Sequence, residues 1–523
     1  MKLRSSNCFS LLVAAVAFLP VGVVEAQAAG VNLFPADKAS GVNPDTHLVL
    51  TFASAPAIGK SGHIRIYDAD GHKLVDTLDM SIPAGPDPLR RVTAPAAAQP
   101  ATLPASVPTS PTTTTPAVRT VPADLHNYQL NTVGGLENFH FYPIIVHGNV
   151  ATIYPHSHVL EYGHKYIVQI DAGVLTPAAD AFAGFTTDKA WSFSTRKAAP
   201  AEDAARVVVA ADGSGDFNTV QGAVDFVPDN PAHRVTIFIK NGTYEEIVFF
   251  RNKSNLTIRG EDREKVQVGY ANNSGFNPPQ PGPNRRCAFS AYDSTGIQLE
   301  NFSVNNYAYG QAEGLLISGS KNIVIHMNIK GSGDALNTRG SVYFKESRII
   351  GDGDTILGVG PAFFDHCELE SMGPFMWIRN TDANHGNVFV DCTFIARERP
   401  AAQTPAPVTT SNPGAAAPAR PFMGAVLARL PNNHGLNYPY AEAVLINCKL
   451  KGIPPAGWGP IDDDTSHMHL WEFNSTDLDG HPIDITQRHP VSRQLTMPQD
   501  AEIVANYSDP AFVLGGWTPV VEK

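Results

Sequence analysis

From residue 297 onward one short, strand-like segment keeps returning: IQLENFSV (297–304), IVIHMNI (323–329), VYFKESRI (342–349), AFFDHCEL (362–369), VFVDCTF (388–394) and VLINCKL (444–450). Matching the inward small or apolar position of each copy aligns Ser303, Met327, Ser347, Cys367, Cys392 and Cys448, with gaps of 24, 20, 20, 25 and 56 residues. The last gap holds a Pro/Ala-rich tract, TPAPVTTSNPGAAAPARP (404–421), which accounts for its excess. A recurring short strand at a period of 20–25 residues is the mark of a solenoid, in which each repeat buries its apolar face only against its neighbours. The leucine and asparagine ladder of leucine-rich repeats is missing. The pattern therefore predicts a right-handed parallel β-helix, with an ordinary β-sandwich as the alternative.

Before that region the chain reads differently. Residues 31–197 carry short β-branched and aromatic segments between turns, among them THLVLTF (46–52), HIRIYDA (63–69), KYIVQID (165–171) and KAWSFST (189–195). They predict a β-sandwich, interrupted at 93–122 by a Pro/Thr/Ala tract too poor in apolar residues to order itself. The early N-P and the closing W-S-F-S-T resemble bacterial Ig-like modules attached to secreted hydrolases. Residues 198–206 form the linker, and 207–523 the β-helix, whose only helical signal is a short amphipathic stretch at Val220–Val227. The fold class expected is thus all-β: a right-handed parallel β-helix preceded by an Ig-like β-sandwich.

Residues 1–28 read as an export signal, with Lys2 and Arg4 ahead of an apolar run and Ala26-Gln27-Ala28 at its end. A secreted or periplasmic destination follows. A formal charge of −12 without a basic block argues against nucleic acid as a partner. It also disfavours tight retention of a strongly anionic ligand. No membrane partner is expected after signal cleavage, and a monomer is expected. Cys287, Cys367, Cys392 and Cys448 fit no zinc motif and read as buried small hydrophobes, with Cys367 and Cys392 close enough in the repeat to raise a disulfide.

Two stretches in the repeat, KGSGDALNTRG (330–340) and IGDGDTILGVG (350–360), place Asp334 and Asp354 seven residues after Met327 and Ser347. They occupy equivalent positions in consecutive coils, so their backbones stand about one strand spacing, 4.8 Å, apart. Carboxylates that close split in acidity, one holding its proton and the other staying ionised, which suits acid/base work beside a nucleophile. Turn aspartates bonded to local backbone explain the same spacing. A calcium site is a third reading, though no dense run of oxygen ligands supports it.

The segments ADGSGDFNTVQGAVDFVP (211–228), NGTYEE (241–246), NLTIRGED (255–262), QAEGLL (311–316), GDAL (333–336), GDGDTILGVGPAFFDHC (351–367), VLARLP (426–431) and PPAGW (454–458) resemble, in type and order, the motifs of pectin methylesterases. The resemblance runs over roughly 207–500 and includes the closing segment LWEFNSTDLDGHPIDITQRHPVSRQLT (470–496). It implies a metal-free aspartyl esterase, without cofactor, acting on methyl-esterified pectin. Asp354 falls on the nucleophile, Asp334 on the general acid/base, Gln311 on the oxyanion donor and Arg429 on the residue that orients the nucleophile. The sequence departs from the family at Gly333, where a glutamine is usual, at Ile356 and Leu357, which replace an aromatic pair, and at Pro431, where a tryptophan would follow. Tyr309, Trp377 and Trp458 are the aromatic residues available to replace lost sugar-stacking surface, with a place in the core or at the rim as the alternative for each. The alternatives are an esterase for a different ester and a non-catalytic carbohydrate-binding β-helix.

Overall fold

A computed structural model describes residues 30–85, 127–179, 182–278, 282–398, 424–430, 437–462 and 464–522. The export signal at 1–28, both Pro-rich tracts (93–122 and 404–421) and Pro431 lie outside these residues. Among the described residues no helix is long and apolar enough to cross a membrane.

From Arg206 the chain winds into stacked parallel strands. One ladder runs through Arg206–Val209, Val235–Ile239, Leu256–Gly260, Gln298–Glu300, Leu315–Ile325, Leu336–Lys345, Ala362–Asp365, Asn387–Val390, Glu442–Ile446 and His469–Phe473. A second runs from Gly242–Glu245 to Lys449–Lys451 in eight strands. A third, through Val248–Arg251, Phe289–Thr295, Ile356–Val359, Met376–Ile378 and Ala428–Arg429, shares the two longest strands with the first. This is a parallel β-helix. Each coil encloses apolar side chains such as Leu336, Ile349, Ile356, Phe364 and Leu369, all with no exposed surface.

The corner between the first two ladders explains the repeat. Asn301, His326, Glu346, His366, Asp391 and Asn447 all adopt left-handed backbone, with φ between 46° and 62°. This region is most open to Asn, Asp and His. The next residue then turns inward, giving a buried column of Phe302, Met327, Ser347, Cys367, Cys392 and Cys448. The alignment expected from sequence is one residue off in its first coil. Ser303 pairs with Asn328, so Phe302 is the partner of Met327 and the first gap is 25. The four cysteines among the described residues are buried and free, with the Cys367 N–H donating to Cys392 Sγ at 3.3 Å rather than a disulfide joining them.

The N-terminal unit has an antiparallel sheet ordered Asn32–Phe34, Leu48–Thr51, Val150–Ile153 and Ile144–His147. Facing it is a five-stranded sheet of Ala39–Val42, Ser192–Thr195, Lys165–Ile170, His63–Asp68 and Lys73–Asp79. Alternate residues Leu48, Leu50, Ile64 and Ile66 enter the shared core. That core is completed by Ile247, Phe249 and Tyr270 of the β-helix. The far end carries two short helices absent from the sequence reading, Ala501–Tyr507 and Pro510–Val513. Their Val504, Tyr507 and Val513 cover Tyr343, Phe363, Val388 and Val444 on the outer sheet face.

Two acids clasp the sandwich to the first coil at the start of the helix Val220–Phe226. Asp45 of the sandwich accepts the N–H groups of Asn218 (2.9 Å) and Thr219 (2.8 Å), and Glu246 accepts those of Val220 (2.8 Å) and Gln221 (2.9 Å). Burial raises the pKa of both, Glu246 to about 8 from an ordinary 4.5, against the opposing pull of these hydrogen bonds. A raised carboxyl binds more protons folded than unfolded, so its contribution is complete below pH 4.5 and is lost as pH rises through 8. The thermal midpoint is expected to fall across that window, by up to about 1.4 kcal/mol of stability per pH unit. Glu246→Gln should flatten the slope; parallel profiles for both proteins would contradict this account.

Candidate active site

The third ladder fixes the site. Leu336 pairs with Ile356 in parallel register, so Asp334 and Asp354, each two residues earlier, stand on neighbouring coils. Both follow glycines at the turn. Asp354 itself has φ 46°, the left-handed conformation that the corner residues of the coils also adopt.

Arg429 reaches Asp354 from two coils further along, through Trp377. Its guanidinium grips the carboxylate with two bonds, Nε to Oδ1 at 2.6 Å and Nη2 to Oδ2. Burial works against the Arg429 charge, but the bonds to Asp354 and the charges of both aspartates hold its pKa above the ordinary value. Such a fork fixes a carboxylate in position as well as in charge.

Asp334 is placed differently. It is buried, and its near cation, Arg286, is already paired with the fully buried Glu313. Arg286 Nη2 reaches Asp334 Oδ2 only at 3.3 Å. Burial, followed by the Glu313 carboxylate, pushes the Asp334 pKa well above the carboxylate range; Arg286 opposes, and Asp354 adds to the rise. The site thus holds one acid clamped by an arginine fork beside one whose proton affinity burial raises.

Gln311 joins this pair through the turn before it. Ala312 and Ser332 exchange N–H···O bonds at 3.2 and 3.1 Å, which lays segment 310–312 against 332–334. The Gln311 side chain is exposed, and its Oε1 accepts from Ser274 Oγ at 3.1 Å. That contact orients the amide so that its N–H groups remain to donate. Tyr309 lies two residues earlier, partly buried, with its carbonyl held by Asn273 Nδ2 at 2.8 Å.

The three tryptophan and tyrosine candidates part company here. Trp377 forms the floor beside the clamp, with the Arg429 and Arg379 guanidinium carbons 5.3 and 4.9 Å from its ring centre. Trp458 does not belong to the cleft: it is 2% exposed, packs in the β-helix core and donates from Nε1 to Glu472 at 3.1 Å. A ring enclosed inside the coil has no face to offer a sugar. The sequence reading also missed Arg286 and Glu313. Glu313 sits inside the QAEGLL motif, and a charged residue within a buried run was the available signal.

The fold is a parallel β-helix whose neighbouring coils bring together two acids and an arginine fork. The family model described as Pectinesterase matches residues 206–488, more than half of the chain. The chain belongs to the pectinesterase family. Probable pectinesterase 30 of Arabidopsis thaliana is 27% identical over 284 residues, 52% of each chain. Pectinesterase 1 of Solanum lycopersicum is 27% identical over 274 residues, covering 51% of this chain and 47% of that protein. The chain spans about half the length of these curated relatives. Among solved structures, pectin methylesterase from carrot is 22% identical with a TM-score of 0.47, covering 59% of this chain and 93% of that one.

The family departure at position 333 has a steric basis. Gly333 has φ +74°, and a Cβ there would lie 2.7 Å from the Gly310 carbonyl oxygen. Gly333→Gln is therefore expected to destabilise the protein by roughly 1–3 kcal/mol rather than restore a donor. Its thermal midpoint should drop, and an unchanged midpoint would show that the turn has room.

Proposed function

We propose that this protein is a pectin methylesterase that hydrolyses the methyl esters of polygalacturonate with its own side chains. The observation that carries the reading is the unequal pair, Asp354 held by Arg429 and Asp334 raised by burial and Glu313. Asp354 attacks the ester carbonyl carbon. The carbonyl π pair moves to oxygen, where Gln311 donates to the developing oxyanion. Collapse breaks the bond to methoxide, which takes the proton of Asp334 and leaves as methanol. The resulting mixed anhydride is attacked by water, from which Asp334 recovers a proton. Expulsion of the Asp354 carboxylate then yields the free uronic acid and restores both acids.

The same reading assigns the export signal to residues 1–28 and a secreted or periplasmic destination, with the N-terminal sandwich as an Ig-like module. Pectin is the substrate by family membership and by the cleft's acids.

Asp354→Asn is expected to abolish methanol release from esterified pectin with the thermal midpoint preserved; equal release by wild type and variant would remove Asp354 as nucleophile. Chelation should leave the rate unchanged, since every step is assigned to a side chain. Because Asp334 must begin protonated, activity should fall as pH rises through its elevated pKa. Glu313→Gln removes the largest charge raising that pKa, so the alkaline limb should move to lower pH. A limb that stays in place, or moves upward, would take Asp334 out of the proton-donor role.

A further inference from the structure

Asp334 and Asp354 sit in turns, not in strands. Residues 331–335 join Asn328–Lys330 to Leu336–Lys345, and residues 351–355 join Arg348–Ile350 to Ile356–Val359 in the next coil. Strand register on either side fixes how far the coils stand apart. It does not fix how one turn lies against the next, which needs contacts made by the turns themselves.

Asp352, a residue given no role above, supplies them. Its N–H donates to the Gly333 carbonyl at 3.0 Å, and its Oδ2 accepts from Ser332 Oγ at 3.2 Å. One residue thus holds the turn of Asp334 at two points. On its other side Arg397 reaches back over two coils. Its Nη2 donates to Asp352 Oδ1 at 3.0 Å and to the Gly351 carbonyl at 2.6 Å. The Arg397 guanidinium also lies 3.6 Å from Glu370 Oε2, so it is steadied from two sides. Ser332 carries the connection one coil in the opposite direction, its Oγ accepting the Gly310 N–H at 3.2 Å.

The resulting string, Gly310, Ser332, Asp352 and Arg397, follows the reacting groups closely. Its first three members stand one, two and two residues before Gln311, Asp334 and Asp354. Ser332, Asp352 and Arg397 are half-buried, and both side-chain bonds of Asp352 end on a charged oxygen, which makes them stronger than neutral ones. A reacting group displaced by about 1 Å can lose on the order of 100-fold in rate. A contact worth little in stability can therefore decide turnover.

We propose that Asp352 is a positioning residue for the esterase reaction. Held by Arg397 and bonded to Ser332, it sets how the turn of Asp334 lies against that of Asp354. Through Ser332 and Gly310 it also sets where Gln311 presents its amide. This rests on the roles given to those three residues under the pectin methylesterase reading.

The test is steady-state methanol release from esterified pectin by the full-length protein, each form assayed well below its thermal midpoint. The forms are wild type, Ser332→Ala, Ser332→Thr, Asp352→Asn and the double variant Ser332→Ala/Asp352→Asn. Ser332→Ala deletes one hydroxyl, and Asp352→Asn keeps the shape but leaves an amide that cannot accept from Ser332 and Arg397 together. Each should lower kcat on the order of 10- to 100-fold with KM little changed, the sign of an interaction that acts on the transition state. Ser332→Thr keeps the hydroxyl and should keep the wild-type kcat. The double variant should be no slower than the slower single one, because both changes break the same link. A purely structural role predicts lowered midpoints with kcat per folded molecule unchanged, and that result would overturn the proposal. Equal losses in Ser332→Ala and Ser332→Thr, or losses that multiply in the double variant, would overturn it too, while leaving the esterase reading in place. Should Asp352→Asn not fold, the alanine and threonine variants of Ser332 decide. A folded wild type that releases no methanol would remove the esterase reading itself, and the positioning role with it.

Discussion

Two carboxyl groups on neighbouring coils, their backbones one strand spacing apart, compete for the cations the cleft supplies. At about 5 Å, like charges repel by a few kcal/mol even at the effective dielectric of a protein surface. Here the division is unequal. Arg429 gives both arms to Asp354, whereas Arg286 is largely spent on Glu313 before it reaches Asp334. One acid is left aimed by a fork and its neighbour with a raised proton affinity. Everything else about the β-helix serves this asymmetry: parallel register sets the spacing, and the left-handed turn at Asp354 tilts its carboxylate toward the fork.

The repeat was legible because its cause is local. A left-handed corner residue followed by an inward one recurs in every coil, and that leaves a trace in sequence. The same cause explains the one-residue slip at Ser303. In the other coils the inward residue follows a polar corner and is small or a methionine, whereas in that coil it is Phe302. Trp458 was misplaced because an aromatic residue near the end of the repeat looks alike whether it faces cleft or core; only the Glu472 carboxylate buried beside it settles which. The C-terminal helices span seven and four residues, too short to show a period, and acquire a purpose only against the outer sheet face that they cover.

The junction between the two units was invisible for a related reason. A linker-like composition at 198–206 points to independent bodies, yet the sandwich core is closed by Phe249 and Tyr270 from the first coils. Asp45 and Glu246 then converge on one helix start from opposite sides of that seam. Contacts 173 and 174 residues apart in sequence, such as those of Asp45 with Asn218 and Thr219, have no local signature.

Net charge describes a whole molecule and leaves the balance of charge within the cleft to be read from its own residues. The −12 is a sum over 523 residues, while salt limits the reach of exposed charges to about 8–10 Å. Within the cleft the relevant groups are Arg286, Arg339, Arg379 and Arg429 against Glu313, Asp334 and Asp354. An acidic protein can therefore carry several cations in one cleft, where low-dielectric walls focus the field of the groups nearest to it.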